Sequence, residues 1–506
     1  MLVLTGGEMQ ELEQKLLRDL EIPPLLLMEN AGSRILEFLK GKFGPLKNKR
    51  VHILAGPGNN GGDGLVVARQ LLAVGAKPRV SLIGDGAKLS PLAGQNLEIL
   101  KKLGVTISTL ENKQLPQFKF ALGLADLIID AILGTGFRGS LSKELAALAE
   151  LVNEIKRPVV SVDIPTGVDS ANGQVGSSAV RADYTVNLGA AKVGNFLYPG
   201  REYAGENVVL DLGLPLAGEE AGRRFLAGGE VMDLLPPRPA WGHKGTFGHV
   251  LVVAGSKNMA GAAALSAKAA LRAGAGLVTA AVPAGISGRF LPEESMVVPL
   301  PETKEGSFGK ASLPHLLKLL FKKNALVIGP GLSRNLETIE VVQELLKAWP
   351  GPAVIDADAL GALTDEFMTG VGEKKRKQWI LTPHPGEMGR LLNLPPAKVN
   401  ADRLGVGGEF VKKWGVVLVL KGAPTITFNG EKTYINTTGN HGLATGGTGD
   451  VLAGLVGALL AQGVNPPAAA VLGVYVHGLA GDLAGAGGRR GLIASDCLKK
   501  IQEILL

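Results

Sequence analysis

Two short loops hold the residues on which chemistry could be built. In "GPGNNGGDGLVVARQLL" (56–72) glycines at G-x-G-x-x-G spacing end an apolar run, yet the loop also carries Asn59, Asn60 and Asp63. A dinucleotide-binding turn needs only small residues there, so two amides and a carboxylate exceed what a phosphate grip requires. In "NHGLATGGTGDVLAGLVGALL" (440–460), Gly446, Gly447 and Gly449 free the backbone to turn its N–H groups inward where a helix starts. That geometry suits phosphate or developing negative charge. Asp450 then falls in the first helical turn. A carboxylate beside an anion hole is electrostatically awkward unless it takes a proton from an attacking hydroxyl, as a phosphoryl-transfer base does. Taken singly, Asp after Gly, or Asn in a glycine loop, more often only caps a helix.

Two further strand-end loops carry polar groups: "IIDAILGTGFRGS" with Asp130, Thr135 and Arg138, and "SVDIPTGVDS" with Asp163, Thr166 and Asp169. In open α/β sheets such loops converge beyond the carboxyl ends of the strands. Asn60, Asp130 and Thr166, with nearby carbonyls, make an all-oxygen set suited to a hard cation rather than to zinc or copper. A plain dinucleotide fold gains from Asp85, near the expected ribose position, and loses more from the crowded amides. Neither a G-x-x-x-x-G-K-[ST] phosphate loop nor an H-E-x-x-H zinc site occurs. His315 and His477 read as structural. His384, between Pro383 and Pro385, suits positioning better than proton shuttling.

These loops need a scaffold, and the apolar runs supply one. "VHILAG" (51–56), "RVSLIG" (79–84), "LIIDAIL" (127–133), "PVVSVDIP" (158–165), "YTVNLG" (184–189) and "NVVLDLG" (207–213) alternate with segments of helical spacing. A second series runs from "HVLVVAG" (249–255) through "LVTAAVP", "ALVIGPG", "PAVIDADAL", "QWILTPHPGE" and "GVVLVLKG" to "TITFNG" (425–430). Near-continuous apolar strands alternating with helices predict buried parallel sheets. Gly, Pro and charge break the rhythm around 215–230, so we expect domains at 1–220 and 225–506.

Composition sets limits. The chain has 506 residues, 46% hydrophobic and 20% charged, enough for two cores when domains run to about 100–250 residues. The net charge of +7 is spread out, and its one dense run, Lys374 to Lys377, lacks interleaved aromatics, so no nucleic-acid partner is expected. One cysteine, Cys497, excludes an internal disulfide and fits a reducing cytoplasm. The N-terminus turns polar at once and we expect no uncharged apolar stretch to reach about 18 residues, so neither a signal peptide nor a membrane is expected.

"LLLMENAG" (25–32), "GPGNNGGDGLVVAR" (56–69), "DAILGTGFRG" (130–139), "VDIPTGVD" (162–169) and "GAAKVGNFLYPG" (189–200) together resemble the NAD(P)HX epimerase family over nearly all of 1–215. The resemblance implies a Rossmann-like three-layer α/β/α sandwich. It places the hydrated nicotinamide dinucleotide on Asn59, Asn60, Gly61, Gly62, Asp63, Gly134, Thr135, Gly136, Phe137, Arg138, Gly139, Ser140 and Asp163. It also implies potassium on Asn60, Asp130 and Thr166, the last standing where many members have Ser. Inversion at C6 of the hydrated ring needs proton handling, for which Asp163 is the first candidate and Lys192 the second.

The second half resembles the ADP/ATP-dependent NAD(P)HX dehydratases of the ribokinase-like superfamily. The resemblance rests on the 242–279 segment, "IGPGLS" (328–333), "VIDADAL" (354–360), "LTPHPGEMGRLL" (381–392), "LKGAPT" (420–425) and "GTGD". It implies a ribokinase-like α/β domain in which Lys421, Gly422, Ala423, Pro424, Thr425 and Gly449 hold the adenine nucleotide. Ala262, Gly331, His384 and Asp450 would contact the hydrated cofactor, with Mg2+ on the phosphates. Together the halves imply repair of both epimers of NADHX and NADPHX, with ADP or ATP as donor, by a homo-oligomer. Two other readings stand beside it: a small-alcohol kinase, such as a thiamine-precursor kinase, and an N-terminal half that only binds nucleotide.

Overall fold

A computed structural model describes residues 1–84, 88–109, 115–216, 224–289 and 292–505. Asp85 lies outside the described residues. The chain divides into two compact units, Met1–Arg224 and Phe225–Leu506.

In the first unit the strands are β1 (Val3–Leu4), β2 (Arg50–Ala55), β3 (Lys77–Leu82), β4 (Thr106–Thr109), β5 (Leu127–Ala131), β6 (Val159–Val162), β7 (Tyr184–Leu188), β8 (Ala191–Lys192) and β9 (Glu206–Leu210). Seven of them form one parallel sheet, ordered β4-β3-β2-β5-β6-β7-β9. Helices Pro24–Phe43, Asn59–Ala73 and Pro91–Lys102 pack together over one face. Leu115–Gly123 and Lys143–Glu154 cover the other. The result is a three-layer sandwich. Every residue of β5 is buried, as a strand covered on both faces must be. The short strand β4 has no apolar run because it lies at the sheet edge, mostly exposed, and the sequence pattern does not show it. Strand order reverses between β2 and β5, which opens a crevice beyond their carboxyl ends.

The second unit carries a ten-stranded sheet. Its strands are β10 (Arg224–Ala227), β11 (His249–Val253), β12 (Leu277–Pro283), β13 (Met296–Leu300), β14 (Ala325–Ile328), β15 (Ala353–Ile355), β16 (Trp379–Leu381), β17 (Val417–Leu420), β18 (Ile426–Phe428) and β19 (Thr433–Asn436). Their order is β10-β19-β18-β17-β16-β15-β14-β11-β12-β13. The run from β13 to β17 is parallel, while β17, β18 and β19 pair antiparallel. Here too the order turns, between β11 and β14. Helices Ala260–Arg272, Thr448–Ala461, Pro466–Ala484 and Ala494–Ile504 pack on one another in the main core. Thr448–Ala461 is buried on all sides from Val451 onward, which explains its lack of a polar face.

The expectation that no long uncharged stretch exists is corrected here. No Asp, Glu, Lys or Arg falls between Asp450 and Asp482, and Pro466–Gly487 is long and apolar enough by composition to cross a membrane. Asn465, Pro466 and Pro467 break the stretch into two helices, and the second is mostly buried inside the unit.

Candidate active sites

The first site forms where the loops after β2 and β5 meet. Gly56 and Gly61 are demanded by packing: a Cβ on Gly56 would lie 1.8 Å from the Ile132 carbonyl oxygen, and one on Gly61 1.9 Å from that of Gly56. Gly58 has open space around it. Only part of the glycine pattern is therefore free to admit a ligand. Helix Asn59–Ala73 starts at the two amides. A cavity of about 510 Å³ is lined by Asn59, Asn60, Asp63, Gly134, Thr135, Gly136, Phe137, Asp163 and Lys192, among others. Gly61 and Gly62 are buried beneath it. Arg138 instead ties its own loop, donating to the Thr135 and Phe137 carbonyls and to Ser170 Oγ at 2.7–2.9 Å. Neither it nor Gly139 and Ser140 lines the cavity.

Asp163 adopts a left-handed backbone (φ 68°) at the end of β6, an unusual conformation for a residue other than glycine and one that clusters at functional sites. Its Oδ1 lies 2.5 Å from Lys192 Nζ and accepts from the Leu188 N–H at 3.0 Å. Lys192 is fully buried, not the surface lysine its chemistry suggests, and also donates to the Leu188 carbonyl at 2.6 Å. Asn195 braces the pair by donating to the Asp163 carbonyl and to Asn187 Oδ1. Sequence reasoning missed Glu13, on helix Gly6–Asp19, which also lines the cavity. A glutamate on a charged helix reads as a solvated face.

Asp130 is wholly buried and accepts from Ser161 Oγ (2.8 Å), Thr166 Oγ1 (2.7 Å) and the Thr166 N–H (2.9 Å). Burial pushes its pKa up, and these hydrogen bonds pull against that. No cationic side chain pairs with it among the described residues. Asn60 lies against Gly134 and its buried Nδ2 has no partner.

The second site gathers at the start of helix Thr448–Ala461, whose third residue is Asp450. Burial first, then the Asp356 carboxylate, lift the Asp450 pKa to about 7, while Lys421 pulls it back. Lys421 Nζ lies 2.8 Å from Asp356 Oδ1 and 3.7 Å from Glu387 Oε2. A Cβ on Gly449 would come within 3.3 Å of that same Nζ, so the ammonium sits against the glycine turn. Asp356 is buried and fixed by Thr382 Oγ1 at 2.7 Å. Asp356, Asp358 and Glu387 escaped the sequence reading; the only signal was their place in strand-end motifs.

The Lys421–Thr425 loop is held from below by Arg403, also missed. Its guanidinium donates to the carbonyls of Pro424 (2.6 Å), Leu420 (2.9 Å) and Lys421 (3.2 Å). Gly422 (φ 145°) leaves room for it, since a Cβ there would lie 2.8 Å from Arg403 Nη2. Gly331 (φ 64°) packs against Ala262, so closely that a Cβ on it would lie 2.9 Å from the Ala262 methyl. His384 caps helix Pro385–Leu392: its Nδ1 accepts from the Gly386 and Glu387 N–H groups, and Glu387 Oε2 accepts in return from the His384 N–H. That is a positioning role for the loop.

Residues 250–503 match the family model for NAD(P)H-hydrate dehydratase, and 25–194 match that for the YjeF-related protein N-terminus. The "Bifunctional NAD(P)H-hydrate repair enzyme Nnr" of Moorella thermoacetica is 42% identical, over 100% of this chain and 97% of its own length. That of Thermofilum pendens is 36% identical over 96% and 92%. A solved ADP/ATP-dependent NAD(P)H-hydrate dehydratase from Bacillus subtilis, co-crystallized with ATP/Mg2+, is 28% identical; the match covers 57% of this chain and 98% of that one, at a TM-score of 0.46.

Proposed function

The chain belongs to the bifunctional NAD(P)H-hydrate repair enzymes, and we propose that residues 1–220 interconvert the epimers of NAD(P)HX while 225–506 dehydrate the S form at the expense of ADP or ATP. Relatives that span both halves do not favour the small-alcohol kinase. The observation that carries the reading is Asp450: a carboxyl lifted to about 7 beside an ammonium at a glycine-lined helix start.

In the second unit Asp450 removes the proton of the ring hydroxyl, whose oxygen then attacks the terminal phosphoryl group. Lys421 and the backbone amides of Gly446 to Gly449 receive the phosphate charge. Phosphate leaves from C6, and loss of a C5 proton restores the reduced nicotinamide. Ala262, Gly331 and His384 would bound the hydrated ring, and Lys421 to Thr425 with Gly449 the adenine nucleotide. Among the described residues no three His, Cys, Asp or Glu side chains cluster as a metal site, so Mg2+ fits best as an ion brought by the nucleotide phosphates, whose charge it would offset.

In the first unit the cavity holds the hydrated ring against Asp163, with Lys192 fixing that carboxylate. Potassium fits Asn60, Asp130 and Thr166. A buried carboxylate without a cationic partner and an amide with an orphaned nitrogen, whose oxygen and nitrogen can exchange places, suit a monovalent cation. Such an ion would neutralise Asp130 and firm the loop that carries Asn60. A homo-oligomer in the cytoplasm completes the proposal, and sedimentation reads the first of these.

Mixed hydrated NADH epimers supplied with ADP or ATP should regain reduced-nicotinamide absorbance with the wild type. Asp450→Asn should regain none while still binding nucleotide. Recovery by that variant at the wild-type rate would refute the assignment.

A further inference from the structure

We propose that Glu13, on the N-terminal helix, is the proton donor of the epimerase cavity and works together with Asp163. The inference rests on the epimerase reading of the first unit, and it adds a residue that lies outside the matched segment 25–194.

The placement of the helix is not incidental. The strand just before it, β1, pairs with β8 in the register Leu4↔Lys192, so the N-terminus is bonded to the strand that carries the buried lysine. Thr5 and Glu8 form a reciprocal cap that fixes where the helix begins. Gly6 sits so close to the Thr135 carbonyl and Ser170 that a Cβ would overlap both, at 2.5 and 2.4 Å. Met9 is buried with Leu4 and Ala190. One turn further, on the same helix face, comes Glu13. A helix anchored at four points gives the Glu13 side chain a fixed backbone from which to reach the cavity.

The charged groups that line the cavity, among the described residues, are Glu13, Asp63, Asp163 and Lys192. Lys192 is bonded to Asp163, which leaves Glu13 and Asp63 without a counter-ion. Burial, then the Asp163 charge, push Glu13 up, with Lys192 opposing. The same two causes act on Asp63, and Glu13 adds to them. Carboxyls crowded in this way hold a proton more readily than solvated ones, and Glu13 lines the same cavity as Asp163 without the lysine that Asp163 has for a partner.

Inversion at C6 uses both. Asp163 takes the hydroxyl proton, the O–H electron pair becomes the second C6–O bond, and the C6–N1 bond breaks with its pair moving to N1. Glu13 delivers its proton to that nitrogen. Rotation about C5–C6 presents the other carbonyl face, N1 attacks it, and each proton returns to its source.

The test measures epimer interconversion by the full-length chain, following the R-to-S ratio of NADHX without nucleotide, for wild type, Glu13→Gln and Glu13→Asp. Loss of a general acid lowers rates by about 10²–10⁴-fold. We expect Glu13→Gln to lose at least about 100-fold in kcat with KM changed less than about threefold, and Glu13→Asp to recover about tenfold of it. Dehydratase turnover in the same preparations should stay at the wild-type value. Wild-type kcat in Glu13→Gln, a loss confined to KM, or an aspartate variant as slow as the glutamine one would each overturn the proposal. A wild type that leaves the ratio unchanged would instead refute the epimerase reading beneath it.

Discussion

At Asp450, burial and the Asp356 carboxylate raise the pKa to about 7, and that value sets a pH profile. A base must be unprotonated, and kcat/KM reports the free enzyme. Dehydration should therefore be level above pH about 7 and fall about tenfold per unit below it; a profile flat from pH 5 to 8 would remove Asp450 from the role. Asp450 was legible because glycine, helix start and carboxylate are adjacent in the chain. Asp356, Glu387 and Lys421 surround it from other strand ends, and nothing in their spacing reveals that they meet. Lys192 was reached only through the resemblance, as the second candidate: lysine is rarely buried without a partner, and its partner Asp163 comes from a different strand, so spacing alone does not reveal the burial.

Among the elements, the glycine loop after β2 carries a message the spacing alone obscures. Gly61 touches the backbone of Gly56, which in turn touches that of Ile132. Gly61→Ala must push the loop off β5, at a cost of about 1–3 kcal/mol. Epimerisation should collapse, and thermal unfolding with the dehydratase assay should show the second unit unaffected. The nucleotide loop depends on Arg403 in a similar way. Arg403→Ala removes a buried cation from three carbonyls, at a cost on the order of 3 kcal/mol. Nucleotide KM should rise; an unchanged KM would show that the loop needs no such brace. The central strands were readable from their apolar runs. Strands β4, β13 and β19 were not, because β4 and β13 close the sheet edges and β19 is half polar, where burial does not dictate residue type.

For the whole molecule, two doubly wound units on one chain make chemical sense as successive steps on one substrate pool: the first supplies the epimer that the second consumes. Alternating strand and helix patterns, broken by a Gly- and Pro-rich stretch, made that organisation visible. The long uncharged stretch beyond Asp450 was harder to interpret, since a core helix and a membrane helix share composition, and only packing separates them. The direct test of the central claim supplies a mixture of R and S hydrated NADH with excess nucleotide and records the extent of the fast recovery of reduced-nicotinamide absorbance. Wild type should recover the whole mixture, whereas Asp163→Asn should stop at the share that began as the S epimer. Full recovery by Asp163→Asn at the wild-type rate, or a wild type that halts at that same share, would contradict the account.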